Sequence, residues 1–301
     1  MKTIAKHYSN FGNVCLVQFE TLEGKGFPFR VAGPFIEEGS ITIKELDQSG
    51  SVNTLLAINP TDQYLLLTDM DLLKGAKQNR TVNTSVLIAP NSKQEISVSC
   101  VERSRWSYDG PDFKPGSEIL DLKMRSSKAG WLREDSKKKS SKTQSKVWEM
   151  INDEMMSANL YSQTEDYNEM LAHRKDQQED EIRTMTEFKL KEGMNGLAVF
   201  QGSRLLSFDV YGNREAYRHY FQKLSEGILY LVSDGDAMGK AEAYYRLDER
   251  LDEYQGGLDT EIDPEAGGAG DLRWSGMKDY SGFDLSFRQD LVHLTGMCVK
   301  S

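Results

Sequence analysis

Two polar strings carry most of the side chains in this sequence that could do chemistry: Lys74-Gly75-Ala76-Lys77-Gln78-Asn79-Arg80 and Ser99-Cys100-Val101-Glu102-Arg103-Ser104-Arg105-Trp106. A diphosphate-bearing nucleotide needs cationic forks, amide donors and an aromatic plane, and Lys77, Gln78, Asn79, Arg80, Arg105 and Trp106 offer those types. Glu102 and Asp71 are the acid/base candidates, because a partly buried carboxylate beside an arginine can be held in one protonation state. Cys100 has cations around it, as an activated nucleophile would, but its place in an apolar row reads first as a core thiol.

A β-hairpin must position these strings. Residues 81–88 and 94–101 have strand character and are joined by the turn-rich Ala89-Pro90-Asn91-Ser92-Lys93. Pairing Ile88 with Gln94 sets Arg80 opposite Glu102. With a side-chain period of two, both then continue the inward rows of Val82, Val86, Ile88, Ile96, Val98 and Cys100. A charge entering the edge of a core must be paired, so the pattern predicts an Arg80–Glu102 ion pair. That pair is either part of a ligand site or a structural latch, and the residues alone leave both open.

The rest of the chain reads as α+β. Short β-like runs at 14–19, 40–46, 52–58 and 63–67 precede the hairpin, giving an antiparallel, β-rich region over 1–122. The Ser- and Lys-rich stretch 123–146 is expected to be a flexible basic loop, able to fold over a bound anion. An α+β region follows over 147–301: helices from about Gln144 and across 166–172, a hairpin at 196–210, helices near 214–232 and 237–254, then closing antiparallel strands. It is expected to pack with the first region as one compact unit. Gly267-Gly268-Ala269-Gly270-Asp271 lacks the Lys-Ser/Thr ending of a phosphate loop and is not given that role.

Composition narrows the class further. With 301 residues, 38% of them hydrophobic, the chain can fill a real core. A net charge of −10 argues against general nucleic-acid binding, which needs a basic face. Cys15, Cys100 and Cys298 are odd in number and far apart, which fits neither a disulfide framework nor a zinc ribbon and suggests a reducing cytoplasm. No apolar run reaches the ~18 residues of a membrane span. The histidines His7, His173, His219 and His293 have no ligand-like spacing, and His293 reads as a structural residue in a strand. No cofactor is predicted; a divalent metal on Asp69, Asp71 or Glu102 is not excluded. A protein partner or a homo-oligomer is compatible with the sequence.

Several strings resemble one domain family, the ARG and Rhodanese-Phosphatase-superfamily-associated protein domain, where ARG stands for ADP-ribosylglycohydrolase. They are Gly75 to Arg80 with Asn83-Thr84, Ser99 to Glu102 with Arg105-Trp106, Gln144 with Val147-Trp148, and Val292-His293-Leu294. Where the family has Gly-Glu-Glu-Leu before the first string, this chain has Met70-Asp71-Leu72-Leu73, so Asp71 stands for the first acid and Leu72 for the second. The resemblance implies a small nucleotide ligand, ADP-ribose or an NAD-related compound, which the module would bind or process. The alternative is a non-catalytic interaction or sensor protein of a nucleotide-signalling or phage-defence system, with the polar strings as a latch.

Overall fold

A computed structural model describes residues 1–22, 26–46, 53–105, 107, 109–138, 141–177 and 189–299. The chain forms two compact units that interleave in sequence: one comprises Met1–Pro28, Gln178–Pro264 and Asp271–Ser301, the other Phe29–Gln177 with Glu265–Gly270. Among the described residues no helix is long and apolar enough to cross a membrane.

The first unit opens with the hairpin β1 (Thr3–Phe11) and β2 (Val14–Thr21). The chain then builds the second unit. Its strands are β3 (Arg30–Val31), β4 (Thr42–Glu45), β5 (Thr54–Asn59), β6 (Leu65–Leu67), β7 (Asp71–Ala76), β8 (Arg80–Val82), β9 (Val86–Ile88), β10 (Ser92–Cys100) and β11 (Asp109–Ile119), with the short helix α1 (Ala32–Glu37) after β3. Six of these strands close into a barrel in the order β10, β5, β4, β11, β7, β8, while β3, β6 and β9 make a small separate sheet. Ile43, Leu55, Ala57, Leu73, Val82, Ile96, Val98 and Phe113 belong to one buried cluster, as period-two alternation around a small barrel requires.

The predicted hairpin is corrected here. β8 does pair with β10, but in the register Val82↔Val98, Thr81↔Ser99 and Arg80↔Cys100, so Arg80 lies opposite Cys100 and not Glu102. β9 leaves β10 altogether and pairs with β6. The pairing runs one residue further, Asn83 N donating to Ser97 O at 3.0 Å, and the Asn83 side chain adds to it by donating to Ser97 Oγ at 2.8 Å and accepting from Ser99 Oγ at 2.7 Å. A two-residue shift preserves which face each side chain takes, so Arg80 still points into the barrel, fully buried.

The expected flexible loop at 123–146 is also corrected: most of it is helical, in α2 (Leu122–Lys138) and the start of α3 (Thr143–Ser157), followed by α4 (Tyr167–Gln177). Asp121 caps α2 by accepting from Met124 N at 2.8 Å. The inner face of α2 carries Arg125 and Lys128 beside Met124 and Ala129, all buried, so its charge looked like a solvated segment.

The chain returns to the first unit with β12 (Gly196–Gln201), β13 (Arg204–Tyr211), α5 (Arg214–Glu226), α6 (Lys240–Gly256), β14 (Asp271–Trp274), β15 (Tyr280–Phe287) and β16 (Asp290–Cys298). These strands join the opening hairpin in one sheet ordered β1, β2, β12, β13, β16, β15, β14. Ala243, Leu247, Leu251 and Tyr254 of α6 pack with Val17, Phe200, Phe208 and Leu294 in its core. His293 is fully buried, its Nε2 3.3 Å from Asp209 Oδ1 and its ring stacked on Tyr211. Residues 267–270 belong instead to the second unit. Leu87 N donates to Gly267 O and Ala269 N to Leu87 O, and Gly268 sits at φ 68° where a Cβ would come within 2.7 Å of Leu87 O.

Candidate functional site

The first polar string forms the end of β7 and the turn into β8. Gly75 and Ala76 take φ of 122° and 43°, a tight reversal that Asn79 closes by accepting from Gly75 N through Oδ1 at 3.1 Å. The second string follows β10, and the two are laced together: Val101 N donates to Asn79 O at 3.0 Å, and Gln78 Nε2 to Arg103 O at 2.8 Å. Lys77, Gln78 and Asn79 are all buried.

Glu102 pairs with Arg105. The fork is bidentate, Nε to Oε1 and Nη2 to Oε2, both at 2.8 Å, and Oε2 also accepts from Asn79 N at 3.0 Å. Arg105 gives its Nη1 hydrogens to Ala76 O at 2.7 Å and Ser107 O at 3.0 Å. Both oxygens of Glu102 are therefore engaged, and Arg105 ties the turn to the segment after β10. Trp106 lies outside the described residues.

Arg80 finds a partner that the sequence did not suggest, Glu45 at the end of β4. Nη2 lies 3.4 Å from Glu45 Oε1, and Nη1 donates to Gln78 O at 3.0 Å. Both side chains are buried in the barrel, and among the described residues Arg80 Nε and Glu45 Oε2 have no hydrogen-bond partner. Beside them, burial pushes the Cys100 thiol up to about 11, so it stays protonated and inert near neutral pH.

Asp71 occupies the other end of β7, roughly 16 Å away along a strand of that length. It accepts from Thr68 N at 2.7 Å and Thr68 Oγ1 at 3.1 Å. A second buried cluster surrounds that end: Arg125 grips Asp69 at 3.1 and 3.3 Å, and Lys128 donates to Asp69 O at 2.6 Å, to Thr81 Oγ1 at 3.2 Å and to Val82 O. The two acid/base candidates do not share a site. Asp69, Asp71 and Glu102 are each committed to protein partners, and among the described residues no group of three or more His, Cys, Asp or Glu is placed to hold a metal ion.

Sequence reasoning missed Asp166, which joins the polar end of the barrel from the start of α4. It forms an antiparallel bridge with Glu102, and its Oδ2 accepts from Asn79 Nδ2 at 3.0 Å. Its Oδ1 caps α4, accepting from Asn168 N at 3.0 Å. Burial raises its pKa and the nearby Glu102 charge adds to the rise, against the lowering effect of its hydrogen bonds to Asn168 and Asn79. An aspartate before a helix pattern is a readable cap; nothing in the sequence says that this cap returns to Glu102.

Gln144 and Trp148, one turn apart on α3, face the same region. The Gln144 carboxamide accepts from Cys100 N at 2.8 Å and donates to Cys100 O at 3.0 Å. The Trp148 ring lies under the Arg103 guanidinium, 5.8 Å from carbon to ring centroid.

With this geometry in hand, the comparisons are informative. Residues 5–297 match the family model described as ARG and Rhodanese-Phosphatase-superfamily-associated Protein domain. Neither the comparison with curated proteins nor that with solved structures returned a match.

Proposed function

We propose, from the premise that the chain belongs to the ARG and Rhodanese-Phosphatase-superfamily-associated Protein domain family, that it recognises ADP-ribose or a related NAD-derived nucleotide at the polar end of the barrel. The family's name associates it with ADP-ribosylglycohydrolase, which supports the ligand class. The observation that carries the location is the network centred on Asn79. This residue holds Glu102 and Asp166 side by side, and Asp166 is only partly buried. A fixed, hydrogen-bonded frame with an accessible carboxylate and surrounding cations suits a sugar diphosphate.

The reading is recognition rather than hydrolysis. A general base must reach its proton, and the Glu102 side chain is 4% exposed with Arg105 bidentate across both oxygens, while Asp71 sits at the far end of β7. On this reading Lys77, Gln78, Asn79, Arg80 and Arg105 form or support the ligand-binding rim, and Glu102 and Arg105 act by shaping it. Calorimetric titration of the intact chain with ADP-ribose and with NAD tests the proposal. Saturable binding is expected, and no heat at millimolar ligand would overturn it.

A second reading has its own support. Arg105 spends its guanidinium on Glu102 and on the carbonyls of Ala76 and Ser107, as a pure latch would. The module would then be a non-catalytic interaction or sensor protein of a nucleotide-signalling or phage-defence system, and it would fail the same titration.

A further inference from the structure

We infer that Arg103, Trp148 and Asp166 form the nucleoside-facing surface of this module, with the ligand's base stacked on the outer face of the Arg103 guanidinium and its ribose hydroxyls on the Asp166 carboxylate. The inference rests on the nucleotide reading above, gives the Asp166 carboxylate its partner on the ligand and adds Arg103 and Trp148 to the site.

Three observations converge. The Arg103 side chain is 53% exposed, yet it is held from two sides, by Glu165 at 3.4 Å and by the indole beneath it at 5.8 Å. Its backbone is pinned as well, since Arg103 N and Ser104 N both donate to Thr164 O, at 3.0 and 3.1 Å. Holding a long side chain still at a surface costs rotamer entropy. The result is a preformed planar cation on an aromatic support, to which a base can add as the next layer.

Asp166 follows from its neighbours. Its bridge to Glu102 places it one residue from Arg103 in the pairing. Its Oδ2 receives a single hydrogen bond, from Asn79, and so keeps a lone pair for a hydroxyl donor.

The test is binding of ADP-ribose and of AMP to the intact wild type and to two variants chosen to fold. Arg103→Lys keeps the charge and removes the stacking plane. Asp166→Asn keeps an equally good helix cap and removes the carboxylate. Each variant is expected to weaken both ligands by ~10-fold or more while remaining folded by circular dichroism. Wild-type affinity in both variants would overturn this assignment while leaving the nucleotide reading intact. Failure of the wild type to bind either ligand at millimolar concentration would overturn both.

Discussion

The Gln144 side chain acts as a surrogate strand residue for Cys100. Its carboxamide accepts from Cys100 N at 2.8 Å and donates to Cys100 O at 3.0 Å, completing the end of β10. Both groups are buried, so truncation leaves a donor and an acceptor unsatisfied at about 1–3 kcal/mol each. Gln144→Ala is expected to lower unfolding stability by about 2–6 kcal/mol, measured by urea denaturation. Gln144→Glu should be no better, since it loses the donor and buries a charge.

Arg105 and Glu102 form a pair that is open to solvent on one side only, the arginine side chain being 18% exposed and the glutamate 4%. Removing the arginine strands a buried carboxylate, which costs about 3 kcal/mol. Arg105→Ala should therefore destabilise the second unit by about that amount and speed amide exchange at Gly75 and Asn79. Unchanged exchange at both positions would show that Arg105 does not hold the turn.

How much of this was legible in the sequence depends on which physical signal each residue leaves. Arg80 was assigned the inward face because a two-residue shift leaves period-two parity intact. Its partner leaves no local signal because Glu45 comes from β4, and nothing local marks where β9 leaves β10 to pair with β6. Pro111, Pro115 and Gly116 hide β11 from a reading of the sequence. β11 is the barrel strand whose pairing slips between Asp109 and Phe113 and again between Pro115 and Ile119, where such residues are tolerated. α2 escaped notice because hydrophobic periodicity has no way to register a buried lysine and arginine on the inner face. The closing C-terminal strands are legible from their alternation and turn signals, whereas their joining the sheet begun by β1 and β2 rests on long-range pairing that leaves no local signal.

The Arg80–Glu45 pair should behave as a buried ion pair. Arg80→Met alone leaves Glu45 charged inside the barrel and is expected to cost about 3–5 kcal/mol. The double substitution Arg80→Met with Glu45→Leu should recover most of that loss. A double-mutant cycle by chemical denaturation checks it, and strict additivity would mean that the two side chains do not interact.

Lys128 should give the second unit a pH signature. Three oxygen acceptors surround its amine, matching the three N–H groups of an ammonium ion. Burial nevertheless pushes its pKa from 10.5 down to about 7, with Asp69 and Asp71 opposing the fall and Arg125 adding to it. Below pH 7 the native and unfolded chains both carry the proton. Between about 7 and 10.5 only the unfolded chain does, so unfolding takes up a proton and this group's contribution to stability rises with pH. Urea denaturation at pH 6 and pH 9 should show the rise in the wild type and its loss in Lys128→Met.

The most direct test of the central claim is a nuclear magnetic resonance titration of the intact, isotope-labelled chain with ADP-ribose, following the Asn79 side-chain amide and the Arg105 Nε–H. If the polar end of the barrel is a nucleotide-binding rim, both resonances shift together and saturate with added ligand. If neither moves at millimolar ADP-ribose, the strings are a latch alone and the nucleotide account is wrong.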